Sequence, residues 1–153
     1  MVKDLLLKLY AQGSFAVPLS TPNRTFKPQG LKMWAKFQLM PTSTYKGNLR
    51  ETEKAGILQV TLFVPIGTDD TLIDAKANDI VNWFGTEVQH SVQTTNFEGL
   101  LFASKLRYSS NLRYARNPIF KDLTIMSSHI EPAMPDSDGK WYMQPISIEY
   151  QVI

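Results

Sequence analysis

Residues 57–64 read ILQVTLFV. Every second side chain from Leu58 onward is apolar, whereas Gln59 and Thr61 lie on the other face, and this alternation predicts a strand with one buried face. Residues 71–84 read TLIDAKANDIVNWF, in which apolar side chains recur at intervals of three and four. That spacing predicts an amphipathic helix. A strand followed by a helix therefore forms the centre of the predicted fold.

Further strands are predicted on both sides of this centre. Residues 32–40 alternate in the same way and place Trp34 on the polar face, between Lys32 and Lys36. Less regular patterns predict strands over residues 88–94, 100–108 and 119–130, and a regular alternation predicts a final strand over residues 140–153. These elements indicate an α+β domain, in which a mainly antiparallel or mixed sheet of about five to six strands packs against one main helix (71–84) plus a short N-terminal helix (1–12).

The length of 153 residues indicates a single domain over 1–153. Residues 42–55 are polar, which predicts a mobile loop after a strand that ends at Pro41, and residues 99–140 are expected to form an elaboration between strands. Pro145 near the start of the final strand is typical of a sheet edge or a bulge. Strand 145–153 and strand 32–40 are therefore the two candidates for an exposed edge.

Composition excludes several classes of protein. Hydrophobic residues make up 43% and charged residues 20% of the chain, as in folded domains. The absence of cysteine removes disulfides, thiol nucleophiles and thiolate metal sites. No apolar run is long enough to span a bilayer, so no membrane association is expected, and the first twelve residues do not resemble a signal peptide.

The sequence shows no pattern typical of catalysis. Its two histidines, His90 and His129, lack companions at the spacing of metal ligands. It has no nucleophile elbow, no phosphate-binding loop and no dinucleotide fingerprint. We therefore predict that the protein is not an enzyme and has no catalytic residues, no metal site and no cofactor.

One segment is rich in arginine and tyrosine. Between Gly99 and Lys121 the chain has no acidic residue, and Leu-Arg-Tyr occurs twice, ending at Tyr108 and at Tyr114. Arginine interleaved with tyrosine can hold phosphates and stack on bases. The same residues are enriched in protein interfaces, or they could be the solvated outer faces of a hairpin. Trp34 is a second interface candidate unless the helix covers it.

Residues 22–85 contain turn and strand motifs in a characteristic order. They are Pro22-Asn23, Trp34-Ala35-Lys36-Phe37, Met40-Pro41, Gly56-Ile57-Leu58-Gln59-Val60, Val64-Pro65-Ile66-Gly67 and a helix that ends in Phe84. This order resembles that of the small phage proteins of the tail terminator and tail-completion type. The resemblance implies a structural virion protein of a tailed phage or prophage, located in the tail or neck and assembled in the host cytoplasm.

The resemblance also implies partners. Subunits of this family form a homohexameric ring that caps the tail tube and presents a surface to the head-completion proteins, while DNA passes through the lumen without sequence-specific binding. The alternatives are a head–tail connector or neck protein, and an α+β nucleic-acid-binding module that uses the Arg/Tyr-rich segment 105–121.

Two groups of basic residues are candidates for these contacts. The first, expected at the tail tube, consists of Lys46, Arg50 and Lys54. The second, expected at another interface or at the lumen, consists of Lys105, Arg107, Tyr108, Arg113, Tyr114 and Arg116. With Trp34, these residues form the predicted interaction site.

Overall fold

The computed structural model describes residues 2–22, 24–48, 51–94 and 119–152. In this part of the chain the elements are α1 (Val2–Gln12), β1 (Leu19–Ser20), β2 (Trp34–Asn48), β3 (Glu51–Pro65), α2 (Asp70–Phe84), β4 (Val88–Thr94), β5 (Ile119–Ile130), β6 (Met134–Pro135) and β7 (Trp141–Val152). Two helices and one sheet confirm the predicted α+β class.

The strands form one sheet in the order β1-β2-β3-β7-β5-β4. Neighbouring strands run antiparallel except β1, which pairs in parallel with Ala35 and Lys36 of β2. The short strand β6 pairs with the beginning of β7. Because β3 already occupies one side of β7 along its full length, β6 lies on the other side, beyond the end of β5.

Both described helices pack on one face of the sheet, which we call the helix face. Alternate strand residues point into it, including Phe37, Leu58, Val60, Ile146 and Ile148. The helices contribute Leu5, Leu6, Leu9, Tyr10, Ile73, Ala77, Ile80 and Phe84. Each fully buried leucine, isoleucine or phenylalanine stabilises the fold by about 1.5–3 kcal/mol relative to an exposed one. The opposite face, which no described helix covers, is called the open face.

The boundaries of α2 are set by its caps. Asp69 is the N-cap, and its carboxylate accepts a hydrogen bond from the Thr71 amide at 3.1 Å. The Thr71 donors also lower the pKa of Asp69. Gly85 ends the helix with φ +74°, a conformation that favours glycine, and donates to the Val81 carbonyl at 2.9 Å.

Three side-chain hydrogen bonds fix α2 against its neighbours. The Lys76 ammonium donates to the Phe15 carbonyl and the Trp83 indole N–H donates to the Leu9 carbonyl, both at 2.9 Å. The Ser128 hydroxyl of β5 donates to the Gly85 carbonyl at 2.6 Å. These bonds hold both the middle and the end of α2 in place, so its remaining side, turned away from the sheet, is the exposed one.

The final strand is not an edge. β7 lies between β3 and β5, so the prediction of an edge at 145–153 is wrong. The Pro145 carbonyl accepts a hydrogen bond from the Glu131 backbone amide at 2.9 Å. The N–H that proline lacks would point to the same side of β7, towards Glu131. The Glu131 carbonyl instead accepts from the side-chain amide of Gln144. This substitute donor explains how a central strand accommodates a proline.

Residues 42–48 and 51–55 do not belong to the loop predicted there. They continue β2 and β3 as a long hairpin, in which Lys46 is opposite Thr52 and Thr44 is opposite Lys54. Pro41 does not end β2. The Ala35 N–H points away from β3 and donates to the Pro18 carbonyl. The backbone N–H position of every second residue after Ala35, including Pro41, points to this same outer side. The N–H that Pro41 lacks would therefore point away from β3, so its absence removes no hydrogen bond between β2 and β3. A register shift follows directly after Pro41.

The predicted elaboration at 99–140 is wrong for its second half, since residues 119–130 form β5 within the sheet. Residues 99–118, including the predicted strand 100–108, lie outside the described residues. Strand 32–40, as part of β2, does lie beside the short β1 at one end of the strand order. Neither described helix is long and apolar enough to cross a membrane.

Candidate functional site

An aromatic cluster occupies one end of the open face. Trp34 of β2 is directly opposite Phe63 of β3, and their rings stack with centroids 4.1 Å apart and planes within 6°. Phe26 covers Trp34 at 5.1 Å, and Trp141 of β7 meets it edge-on at 5.8 Å. Such aromatic pairs contribute about 0.5–1.5 kcal/mol beyond the area that they bury. Four aromatic side chains from three strands and one connection are therefore held together.

Strand register extends this cluster across the sheet. Phe63 is opposite Met143, and Met143 is opposite Met134 of β6. Directly opposite residues in a sheet point to the same face, so one row of apolar side chains crosses β2, β3, β7 and β6. We call this set the aromatic surface: Phe26, Trp34, Phe63, Met134, Trp141 and Met143. Met134 is 44% exposed, so the row reaches solvent at its far end.

Trp34 belongs to the open face, so the alternative that α2 covers it is wrong. Its indole Nε1 is buried and has no hydrogen-bond acceptor among the described residues. An unpaired buried donor costs about 1–3 kcal/mol. Its role as an interface residue remains a prediction, now with a defined setting in the aromatic surface.

The charges beside the aromatic surface are unevenly distributed. On the β2 side the exposed residues Lys27, Lys32 and Lys36 each lie within two positions of Phe26 or Trp34 in the chain, and we call them the basic rim. At the opposite end, the turn between β6 and β7 carries two acidic residues and one basic residue, namely Asp136, Asp138 and Lys140. The surface therefore has a basic side along β2.

The long β2–β3 hairpin extends beyond the end of β7, and so do β4 and β5 at the same end of the sheet. Pairing of β3 with β7 stops at Lys54, opposite Val152, whereas pairing with β2 continues to Glu51, opposite Asn48. A strand rises about 3.3 Å per residue, so the hairpin passes the last described β7 pair by about 10 Å. Of the predicted tube-contact residues, Lys46 has its backbone position in this extension and Lys54 lies at its base, opposite Val152, whereas Arg50 lies outside the described residues.

The second predicted group lies outside the described residues altogether. It consists of Lys105, Arg107, Tyr108, Arg113, Tyr114 and Arg116. Its role stays a prediction.

A groove of about 700 Å³ runs between α1 and the segment that follows it. Tyr10 and Phe15 line it, and Ser14 and Ala16 adopt positive φ there, at 51° and 57°. The Tyr10 hydroxyl is buried without a hydrogen-bond partner among the described residues, and burial raises the pKa of Tyr10 to about 12. The sequence patterns did not indicate this groove.

Each of the two histidines lies close to a polar group of the fold. His90 Nε2 is 2.9 Å from the Phe84 carbonyl at the end of α2. His129 Nε2 lies 3.7 Å from a Glu131 carboxylate oxygen, and the Glu131 carboxylate also accepts from the Ser147 hydroxyl at 2.5 Å. Within the described ranges, no group of three or more His, Asp or Glu side chains could hold a metal ion.

Most of the aromatic surface was missed by sequence reasoning. The available signal was Phe63, a large apolar side chain on the same strand face as Gln59 and Thr61. Trp34 is likewise a large apolar side chain on the otherwise polar face of its strand. Two such exceptions on neighbouring antiparallel strands indicate an apolar patch on the face that the helix does not cover.

Comparison with known proteins gives a family and a fold. A family model described as phage tail terminator protein matches residues 2–104, about two thirds of the chain. Eleven chains of solved structures match, and one of them is 15% identical with a TM-score of 0.62, covering 99% of this chain and 95% of that chain. At that identity the likeness shows the fold alone. A search of curated proteins gives no significant match.

Proposed function

The chain belongs to the phage tail terminator family, and from this premise we propose that it caps the tail tube as a homohexameric ring and joins it to the head-completion proteins. The family membership makes it a structural component of the phage tail. The match over residues 2–104, which includes α1, α2 and β1–β4, is the observation that carries the proposal. The subunit would act by stoichiometric binding, without turnover, after assembly in the host cytoplasm.

Ring formation needs two different patches on each subunit that meet head to tail. The outer edge of β2 supports one of them. Only Ala35 and Lys36 are paired there, with β1, and from Phe37 to Asn48 no described strand covers that edge. Unpaired N–H and C=O groups along an edge can pair with another chain. A neighbouring subunit is the occupant that a closed ring supplies.

The hairpin extension supports contact with the tail tube. It projects past the end of β7 with Lys46 in its described part, and Lys54 lies at its base opposite Val152. Arg50 belongs to the proposed contact by its position in the sequence between these two lysines. The basic group at 105–116 remains our candidate for the second interface or for the lumen, where DNA passes without sequence-specific binding. If that group faces DNA, affinity for duplex DNA should fall steeply with salt.

Solution mass tests the proposal most directly. Light scattering on the purified chain, with and without the tail-tube protein, distinguishes the 17.4 kDa subunit from a ring of about six copies. We expect the ring alone or on the tube. A chain that stays monomeric in the presence of tube protein would overturn the terminator role, and binding to a purified connector instead would favour the neck-protein alternative.

The hairpin has its own test. The double variant Lys46→Glu with Lys54→Glu should still form rings but should no longer stop tube growth, because reversed charges oppose the proposed tube contact. Tube lengths measured by electron microscopy report the effect. Lys3→Glu in α1 is the matched control and should cap tubes like the unmodified chain. Normal capping by the hairpin variant would remove these lysines from the contact.

A further inference from the structure

The stretch that carries the basic rim differs in charge from α2. From residue 5 to residue 50 the sequence has seven basic residues and no acidic one, and the basic rim of the aromatic surface belongs to this stretch. By contrast, α2 and its cap carry four aspartates, Asp69, Asp70, Asp74 and Asp79. The one basic residue of α2, Lys76, is directed to the Phe15 carbonyl. The exposed side of α2 is therefore acidic.

The exposed side of α2 also offers apolar and small side chains. Leu72 is 62% exposed. Thr71, Ala75, Asn78 and Asn82 are exposed and recur at intervals of four, three and four, so they follow one line along the helix. Small side chains along this line allow another surface to approach closely, with Asp74 and Asp79 on either side of it. We call this side the outer face of α2.

We propose that the aromatic surface and its basic rim receive the outer face of α2 from a second copy of this chain. The proposal rests on the ring function above and adds one pair of patches to the backbone contact proposed for the outer edge of β2. Lys27, Lys32 and Lys36 would form ion pairs with the α2 aspartates of the neighbouring copy. Leu72 of that copy would contact the aromatic side chains. Complementary charge at such a contact gives specificity and correct register.

The positions of the two patches fit a repeating contact. The aromatic surface is on the open face of the sheet, and α2 packs on the helix face. One copy can therefore receive a neighbour on one side and dock onto another neighbour with the opposite side. Because the two patches are different, the contact is heterologous, which is the type that generates rings when the rotation closes.

Charge reversal tests the proposal. The first variant carries Lys32→Glu and Lys36→Glu, and the second carries Asp74→Lys and Asp79→Lys. Either variant alone would bring like charges together, and we expect self-association at least about tenfold weaker than that of the unmodified chain, measured by sedimentation with tube protein present. An equimolar mixture should assemble again, because each variant then presents a charge complementary to the other.

Two controls separate charge at these patches from charge in general. Lys3→Glu in α1 and Glu149→Lys on the exposed part of β7 reverse charges elsewhere and should assemble like the unmodified chain. All four variants should unfold at nearly the same temperature, since surface substitutions usually change stability by less than about 0.5 kcal/mol. A folding defect in either variant would persist after mixing. Recovery of assembly in the mixture would therefore show that the separate variants failed because their charges were not complementary.

The apolar part of the contact has a separate test. Leu72→Ser and Met134→Ser remove exposed apolar side chains, and each should weaken assembly by about tenfold without lowering thermal stability. If the unmodified chain forms rings while the charge and apolar variants assemble equally well, the proposed patches are wrong and the ring function stands. If the unmodified chain never assembles on tube protein, the ring function fails and this contact fails with it.

Discussion

Gly56 determines how closely β2, β3 and β7 approach one another. An added Cβ would lie 2.5 Å from the Tyr150 hydroxyl oxygen and 2.9 Å from the Met40 carbonyl oxygen. The carbonyl belongs to the paired backbone and cannot move aside. Gly56→Ala should therefore destabilise the protein by about 1–3 kcal/mol, measured by urea unfolding.

A double variant checks this explanation. Tyr150→Phe removes the hydroxyl that lies nearest the added Cβ, so Gly56→Ala should be less destabilising in that background. An equal loss in both backgrounds would show that Tyr150 is not the obstacle and would leave the Met40 carbonyl as the cause.

The phenol of Tyr10 makes stability depend on alkaline pH. Burial raises its pKa in the folded protein to about 12, above the ordinary value of 10.0. The folded state therefore keeps its proton where the unfolded chain loses it, and stability that is fully present below pH 10 is lost as pH rises towards 12. We expect a fall of up to about 2 kcal/mol in the free energy of unfolding over that range.

Tyr10→Phe is the matched control for this effect. The hydroxyl has no partner among the described residues, so its removal should leave stability at neutral pH nearly unchanged or slightly higher. The variant should lose the Tyr10 contribution to the alkaline decline. The same decline in the variant would assign it to another group.

Among the described elements, apolar patterns predicted the main helix and several strands, including strands whose pattern is less regular. The helix predicted at 71–84 is α2 with one more residue at its start, and the strands predicted at 88–94 and 119–130 are β4 and β5. However, the alternation of apolar and polar residues does not indicate which strands are neighbours in the sheet. It placed Ile146 and Ile148 on one face of the final strand, but the central position of β7 depends on pairing with both β3 and β5.

The hairpin was predicted poorly for a physical reason. Residues 42–55 are mainly polar and show no alternation, although 42–48 and 51–55 belong to the paired strands β2 and β3. Local patterns record burial, and they carry little information where a strand is held by hydrogen bonds alone. A proline such as Pro41 then indicates an end, although on an outer edge the chain can continue past it.

The outer edge of β2 gives an element-scale prediction. Gln38 directs its N–H towards β3, whereas Leu39 directs its N–H outward like Ala35. Gln38→Pro should therefore break the ladder and destabilise the protein by about 1–3 kcal/mol. Leu39→Pro should be no less stable than Leu39→Ala, the control for loss of the side chain, when both are unfolded thermally.

Assembly provides a second measurement on the same pair. If the outer edge of β2 pairs with a neighbouring subunit, Leu39→Pro should form fewer rings than Leu39→Ala. A folded Leu39→Pro variant that still forms the full ring would show that the backbone edge takes no part in the contact.

The candidate site was only partly accessible to sequence reasoning, for a similar reason. Trp34 could be selected because it interrupts a polar face, but Phe26, Phe63 and Trp141 join it through strand register and a connection. The residues are separated by up to 115 positions in the chain, between Phe26 and Trp141. A contact over such a distance depends on the completed sheet.

For the molecule as a whole, separated charges predict salt-sensitive assembly. Raising ionic strength from 0.1 M to 1 M shortens the Debye length from about 10 Å to about 3 Å. Attraction between the basic rim and the outer face of α2 should weaken, so the ring fraction seen by sedimentation should fall. The equimolar mixture of charge-reversed variants should show the same fall, and salt-independent assembly would contradict an electrostatic contact.

The central place of β7 has a consequence for synthesis. β7 follows every other described strand in the sequence, yet it alone joins the β1–β3 half of the sheet to β5 and β4. Pairings between such distant segments are slow to form because loop-closure entropy opposes them. During translation both halves must wait, each with an apolar edge uncovered, until residues 141–152 emerge from the ribosome. A chain interrupted before that point lacks the strand that joins the two halves, so truncated products are poor candidates for incorporation into a tail.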